Sequence, residues 1–440
     1  RGARRGARSG RRYPDNLMVW DGVPTVEFEL GREGLWGLAN RDRIPLGAAT
    51  ILRNVTLEDD TYRKGGGASL LGSTFGATVT GDAAIDYWVN ATTQRTLVAG
   101  DDGILRKDNG SGASWATLAS GLTTSGRVPM WCLGGAEQSG RNRKAFYCDR
   151  INVVQVLSGD AASTAALASP PADWASTNQP GFLVVHAGGG PGGQGQGSMW
   201  GGGNANDPHR IYRSLAANHE DFLTFNYSLA IFPGVGERLV AGASCKGLLI
   251  LWKYPVGVFA IDTRDPDDQK WRPEQIGQAG MAGPLNWAIV ENDLIWVAPD
   301  GSLHRLSSTD QTGSVRASDI SAPKLARWMR DNVNRSRLAY AQMVYHAEKL
   351  EVQLACANQD GTPKNRKMVL EVSREGDIGD RWIWWDRDRN EALFIRKKSE
   401  ILIPAFVDNA GQVWEADQAT RSSNGLAYTM QFEVGDLDFS

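Results

Sequence analysis

Histidine and cysteine are scarce in this chain, and their scarcity excludes several kinds of site. Only five His and four Cys occur among the 440 residues. No His lies in an HxH, HExxH or HxxxH pattern, so a local metal-binding motif is absent. The thiols have no CxxC spacing, which predicts buried free cysteines and neither a zinc site nor a disulfide framework. They are Cys132, Cys148, Cys245 and Cys356. We therefore expect no metal ion and no cofactor.

Long apolar runs are missing as well. No stretch approaches the roughly 20 apolar residues that span a bilayer, and no charged start followed by an apolar centre indicates a signal peptide. The formal net charge of −3 argues against a generally basic nucleic-acid binder. The sequence predicts a soluble protein with no membrane span.

Signatures of catalysis are lacking too. The run 188–203 is rich in Gly but has no GK[ST] ending, so we interpret it as a flexible loop between strands. The acidic stretch 262–268 lacks calcium-loop spacing, and a solvated turn cap is the favoured interpretation. His209 is expected to orient the turn into the next strand. No GxSxG elbow occurs, and we predict no catalytic residue.

Glycine and tryptophan, by contrast, are abundant, with 51 and 16 residues. Apolar runs of four to eight residues alternate with turn residues such as Asn-Asp and Pro-Asp-Gly, as in antiparallel sheets. Units of three or four such runs recur at 83–118, 128–157, 182–222, 237–262, 285–306, 337–386 and 392–416. Recurrent small sheets are typical of the blades of a β-propeller. The fold class predicted is all-β, a six- or seven-bladed propeller.

Three regions are predicted. Residues 1–49 form a basic, flexible, extended N-terminal arm, 50–420 the propeller, and 421–440 a C-terminal strand segment, with the start of a tip domain as one alternative. One short helix interrupts the strands at 321–334. There Ser321 is the expected N-cap, and Met329 and Val333 belong to an apolar face. We expect this helix to pack on a blade edge.

Residues 108–115 resemble the Asp-box of sialidase-like propellers, which runs Ser-x-Asp-x-Gly-x-Thr-Trp. Gly112 and Trp115 fit that pattern, Ser114 stands for Thr, and Gly110 falls where the Asp belongs. In that family the box is a structural turn. The resemblance supports a propeller and implies nothing about catalysis.

A wider resemblance is carried by the order of several segments. DPHRIYRS and NHEDF come first, then LILWKYPVGVFAID, GMAGPLNWAIVENDLIWVAPDGSLHRL, SAPKLARWMRDNV and DRWIWWD. In this order the chain resembles the tail nozzle proteins of short-tailed bacteriophages, also called packaged-DNA stabilisation proteins. The resemblance implies a non-enzymatic virion protein, made in the host cytoplasm. About six copies would form a ring below the portal and adaptor that seals or lines the DNA exit channel.

The arm carries the interface residues that we predict. They are six arginines and two tryptophans: Arg1, Arg4, Arg5, Arg8, Arg11, Arg12, Trp20 and Trp36. Residues 1–12 contain six arginines with only Gly, Ala and Ser between them. Such a segment cannot bury apolar surface, so we expect it to order only on a partner. We favour docking on a neighbouring subunit, because the aromatic segment that follows needs an apolar surface. Sequence-independent contact with phosphates of packaged DNA is the alternative.

Two other functions stay open at this point. A propeller that binds or cleaves carbohydrate, such as a phage depolymerase or receptor-binding protein, requires a pocket, and a cleaving enzyme requires paired carboxylates in it. A cellular propeller that recruits partners would be a stable monomer.

Overall fold

The computed structural model describes a single β-propeller. The residues described are 49–53, 55–58, 61–64, 66–110, 114–135, 143–188, 197–216, 218–234, 236–308, 315–321, 324–359, 361, 364–372, 382–386, 391–418 and 430–434. Four short strands come first: β1 (Ala49–Arg53), β2 (Val55–Glu58), β3 (Thr61–Lys64) and β4 (Gly67–Leu70). β2 and β3 pair with each other, and β1 and β4 join blades formed near the other end of the chain.

Blades 1 to 3 are antiparallel sheets whose strands follow chain order. Blade 1 contains β5 (Gly81–Trp88), β6 (Gln94–Gly100), β7 (Leu105–Asp108) and β8 (Trp115–Ala119). Blade 2 contains β9 (Met130–Gly134), β10 (Lys144–Cys148), β11 (Gln155–Ser158) and β12 (Ala165–Ala166). Blade 3 contains β13 (Phe182–His186), β14 (Ser198–Gly202), β15 (Arg210–Arg213) and β16 (Tyr227–Ala230).

Blades 4 and 5 repeat the same four-stranded arrangement. Blade 4 contains β17 (Arg238–Cys245), β18 (Leu248–Tyr254), β19 (Val256–Asp262) and β20 (Pro273–Ala279). Blade 5 contains β21 (Trp287–Val290), β22 (Asp293–Val297), β23 (Leu303–Ser308) and β24 (Val315–Asp319). Helical structure in the described chain is limited to α1 (Lys324–Asn332) and the 3₁₀ turns Asp268–Lys270 and Arg335–Tyr340.

Blades 6 and 7 are assembled from both ends of the chain. Blade 6 contains β25 (Gln342–His346), β26 (Glu351–Cys356), β27 (Arg366–Glu371) and β28 (Trp382–Asp386). Its sheet continues outward through β1, which runs parallel to β28, to β32 (Gln431–Val434) at the edge. Blade 7 contains β29 (Ala392–Lys398), β30 (Ile401–Val407) and β31 (Val413–Gln418), and β4 supplies its fourth strand. This last pairing closes the ring.

The seven blades confirm the predicted fold, at the upper of the two blade counts. The first strands of the blades line the axis, with β29 beside β5, β5 beside β9, β9 beside β13, β13 beside β17, β21 beside β25 and β25 beside β29. Since each blade is covered by its neighbours, middle strands such as β18 are buried on both faces. Large side chains fill the gaps: the indole of Trp252 lies 5.7 Å from that of Trp296 and stacks at 6.3 Å on that of Trp287.

Two local predictions were wrong. The Gly-rich stretch 188–203 is not a loop throughout, because β14 occupies Ser198–Gly202 within it. β14 needs small residues, because a Cβ on Gly201 would lie only 2.7 Å from the indole of Trp174. Ser321 does not cap the helix, because α1 begins at Lys324; its hydroxyl donates to the Asp319 carboxylate at 2.5 Å. The predicted apolar face is confirmed by Met329 and Val333, which are both buried.

Candidate functional site: the axial cluster

The predicted interface residues lie outside the described part of the chain. These are Arg1, Arg4, Arg5, Arg8, Arg11, Arg12, Trp20 and Trp36. Their role in assembly stays a prediction. What the structure does place is a set of polar side chains at one end of the propeller axis. We call it the axial cluster, and it consists of Asp82, Arg127, Gln342, Lys364 and Glu391.

The members of the axial cluster come from four blades. Asp82 and Gln342 lie at the start of first strands, β5 and β25. Arg127 precedes β9, Glu391 precedes β29, and Lys364 lies in the loop between β26 and β27. The first strands run in the same direction around the axis, and the loop after each second strand returns to the end where the first strands begin. Residues distant in sequence therefore meet at this end.

Arg127 connects blades 1 and 2. Its side chain is 2% exposed and donates to Asp82 Oδ2 at 2.6 Å and to the carbonyl of Gly100. Burial alone would lower the pKa of Arg127, but the neighbouring Tyr147 and Asp82 together raise it. Tyr147 in turn donates to Asp149 at 2.8 Å. The guanidinium is thus held in its charged form between two blades.

Lys364, Gln342 and Glu391 connect blades 6 and 7 to blade 1. Lys364 Nζ donates to the carbonyl of Asp82 at 3.1 Å, and Gln342 Nε2 donates to the same carbonyl at 2.8 Å. Gln342 Oε1 accepts from the backbone N–H of Leu393 at 2.6 Å. Glu391 Oε2 accepts from the backbone N–H of Lys364 at 2.8 Å. Each of these bonds joins one blade to a backbone group of the next.

Burial shifts both charged members of this group. It lowers the pKa of Lys364, and the nearby Glu391 offsets only part of that effect. It also raises the pKa of Glu391, again with partial compensation from Lys364. Shifts of this kind are found in active sites but equally in structural ion-pair networks. The hydrogen-bond partners decide between the two, and here they are backbone atoms.

A small pocket adjoins the axial cluster. Its lining includes Asp82, Pro129, Leu285, Tyr340 and Gln342, and it encloses no more than ≈ 190 Å³ of empty space. Sites for drug-sized ligands usually measure about 300–1,000 Å³. The pocket is therefore too small for an oligosaccharide. The arrangement can hold blades in register, because the bonds described above cross from one blade to another.

Three residues that the sequence analysis considered as candidate sites or turn residues, Asp267, Asp108 and His209, take part in local hydrogen bonds with backbone groups. Asp267 caps the 3₁₀ turn by accepting from the N–H of Gln269, as expected of a solvated acidic cap. Asp108 accepts from the N–H of Thr96 at 2.7 Å, within blade 1. The backbone carbonyl of His209 accepts from Ile231 at the start of the link to blade 4. Within the described residues no group of three or more His, Cys, Asp or Glu side chains could hold a metal ion.

The four cysteines are free. Cys148, Cys245 and Cys356 are buried, as predicted, whereas Cys132 is only half-buried. Burial nevertheless raises the pKa of Cys132 to about 12. No helix in the described part of the chain is long and apolar enough to cross a membrane.

The axial cluster was not found from the sequence. Gln342 and Lys364 lie 260 and 282 residues from Asp82. No local spacing signals such pairs, and only the closed ring brings them together.

Comparison with known proteins adds little. No protein-family model and no curated protein matches this sequence. Among solved structures, YCF48 from Cyanidioschyzon merolae is similar, with a TM-score of 0.43 and 10% identity, over 80% of this chain and 98% of YCF48. At this level of similarity the likeness does not extend to function.

Proposed function

We propose that this protein is a structural component of the tail of a short-tailed bacteriophage. In this proposal several copies, about six, form a nozzle ring below the portal and adaptor. The ring lines or seals the channel through which DNA is ejected. The protein acts mechanically and catalyses no reaction.

One observation carries the mechanical part of the proposal. The polar side chains at the propeller axis bond to backbone groups of other blades, as with Gln342 and Lys364 on the carbonyl of Asp82. A catalytic centre needs functional atoms that are free to face a substrate. Atoms that are already used between blades stiffen the ring instead.

The order of segments supports the more specific part. The segments that resemble tail nozzle proteins correspond to blades 3 to 6, together with α1. A propeller leaves few exposed strand edges, so many copies can assemble without indiscriminate edge pairing. A ring of identical subunits also requires two different complementary surfaces on each copy.

Sizing the purified protein tests this proposal. We expect light scattering after gel filtration to give about six times the mass of one chain, alone or after mixing with an adaptor ring. Negative-stain images of that species should show a ring with an axial channel.

A strictly monomeric protein under both conditions would contradict the proposal. So would sustained hydrolysis of a phage-receptor glycan that is lost when a single carboxylate is replaced. The second result would favour a depolymerase.

A further inference from the structure

Blade 4 displays an apolar surface at the same end of the propeller as the axial cluster. Phe232 is 54% exposed, Val256 45% and Tyr254 37%. Phe232 lies in the link from β16 to β17, and the other two lie at the turn between β18 and β19. We call these three residues the aromatic patch. Exposed apolar side chains on neighbouring loops mark interaction sites more often than scattered ones.

Buried residues of blade 4 hold Phe232 of the aromatic patch in place. Lys253, whose side chain is 0% exposed, donates to the carbonyl of Phe232 and lies 3.0 Å from Glu237 Oε2. The ring of Phe232 stacks on that of Phe259, with centroids 5.5 Å apart. A buried cation is thus used to fix a loop whose aromatic ring faces water. Anchors that are fixed before binding lose little conformational entropy when a partner arrives.

Arg238 borders the aromatic patch and Arg150 lies near Arg238, and within the described chain neither arginine has a carboxylate partner. Arg238 lies over the ring of Tyr254, with its guanidinium carbon 5.1 Å from the centroid. Arg150 is half-buried, and burial together with the charge of Arg238 lowers its pKa. Glu237, which precedes Arg238 in the chain, is already bonded to Lys253. The surface therefore combines exposed rings with uncompensated positive charge.

After the six arginines of residues 1–12, the chain itself contains a segment of opposite charge. Residues 13–36 carry four aromatic side chains, together with five acids against one arginine. The aromatic residues are Tyr13, Trp20, Phe28 and Trp36, and the acids are Asp15, Asp21, Glu27, Glu29 and Glu33. We call this segment the acidic arm. Aromatic rings interspersed with carboxylates match a surface of exposed rings bordered by arginines, because the rings stack and the ions pair bidentately.

We propose that the acidic arm of a second copy of this chain docks on the aromatic patch. The chain then carries both halves of a head-to-tail contact, which is what a closed ring requires. The position of β1 favours a second copy: it lies beyond β28, on the outer side of blade 6. The preceding residues therefore start from the rim of the propeller. This docking rests on the proposed ring function and names the contact that would build the ring.

A photo-crosslinking experiment on the full chain tests the docking. Benzoylphenylalanine replaces Trp20, and equal amounts of ¹⁴N- and ¹⁵N-labelled protein are mixed before irradiation. We expect mass spectrometry to find crosslinks from residue 20 to peptides containing Phe232 or Val256, between chains of different label. Crosslinks within one chain, or to another face, would overturn the proposal.

Substitutions on the aromatic patch sharpen the result. The double variant Phe232→Ser, Val256→Ser should lower the yield of these crosslinks about ten-fold, and Arg238→Gln should lower it less. Phe225→Ser is the matched control, since Phe225 is 38% exposed in blade 3, between β15 and β16 and away from the patch. An equal loss in the control would contradict the site. Circular dichroism checks that each variant is folded.

Sizing separates this proposal from the previous one. Rings that persist in the Phe232→Ser, Val256→Ser variant, without crosslinks at the patch in the unsubstituted chain, would refute the docking but leave the ring function standing. An unsubstituted chain that stays monomeric, both alone and with an adaptor ring, would refute the ring function itself.

Discussion

The two halves of the propeller differ in the contacts that are added to apolar burial between their blades. Blades 3 to 5 follow one another along the chain, and wide aromatic side chains fill the gaps between them, as with Trp252 and Trp296 at 5.7 Å. Blades 6, 7, 1 and 2 also bury apolar side chains between them, such as Val98, Phe394 and Val407, but they are joined in addition by the charged and amide groups of the axial cluster. Apolar burial therefore acts at both kinds of junction. Where the last blades meet blade 1, the chain does not set the order of the blades, and the bonds of Gln342 and Lys364 to Asp82 add a directional constraint.

The stability of the half formed by blades 3 to 5 should be the more sensitive to the loss of side-chain volume between blades. Trp252 is 0% exposed and contacts two further indoles. Trp252→Ala should lower the free energy of unfolding by about 5 kcal/mol, because it leaves a cavity between blades 4 and 5. Urea denaturation followed by tryptophan fluorescence measures this. Phe225→Ala, at an exposed position, should change it by no more than about 0.5 kcal/mol. Equal losses would contradict the packing argument.

The half formed by blades 6, 7, 1 and 2 should be sensitive to the loss of a charged side chain of the axial cluster. Asp82→Asn leaves Arg127, which is 2% exposed, without a carboxylate. We expect a loss of about 3–4 kcal/mol, because an uncompensated charge stays buried. The double variant Asp82→Asn, Arg127→Met should recover part of it.

An exposed ion pair provides the control for that experiment. Asp262→Asn breaks the pair with Arg264, whose side chain is 73% exposed, and should leave the denaturation midpoint unchanged. Equal effects at Asp82 and Asp262 would mean that the axial cluster does not brace the ring.

Acid should weaken the junction of blades 3 and 4 through His186. Both of its ring nitrogens are bonded at 2.7 Å, one to the hydroxyl of Ser244 and one to that of Thr263. Burial lowers the pKa of His186 to about 4, and Arg213 adds to this while Asp262 opposes it. The folded state therefore binds fewer protons than the unfolded state between pH 6.5 and 4. Stability is lost as pH falls through that window, by up to about 3 kcal/mol.

Denaturation midpoints from pH 7 to 4 measure this effect. In the His186→Gln variant, the loss of unfolding free energy between pH 6.5 and 4 should be smaller than in the unsubstituted protein, because the contribution of His186 is removed. His219, whose pKa is also lowered by burial, keeps its own contribution in both proteins. Identical pH profiles would show that His186 is not the group responsible.

The smallest expected effect concerns the point of closure. Gly411 has φ +65°, and a Cβ there would lie 2.2 Å from the carbonyl oxygen of Gly76. Gly411→Ala should cost about 2 kcal/mol, from backbone strain together with this clash. Gly121→Ala is the control, because Gly121 has φ +74° with nothing within 4 Å and should show the backbone part alone. Equal melting temperatures for the two variants would mean that the backbone at Gly76 moves away from the added Cβ at little cost.

The sequence predicted those parts of the fold that local patterns encode. The first three strands of blades 4 and 5 were found because their apolar runs are separated by strong turn residues. β20 was missed because it is a partly exposed edge strand without an apolar face. β14 was taken for loop because three of its five residues are Ser or Gly. The axial cluster could not be predicted, since two of the bonds that define it, from Gln342 and Lys364 to Asp82, span 260 and 282 residues.

The hydroxyl of Thr74 donates to the carbonyl of Ala410, 336 residues further along the chain. During synthesis at about 5–20 residues per second, the strand beside Thr74 waits on the order of half a minute for its partner. Throughout that interval β4 offers an unpaired edge. We therefore expect the nascent chain to be prone to wrong strand pairing at this edge until its seventh blade leaves the ribosome, so its yield in a foreign host should depend on the rate of translation.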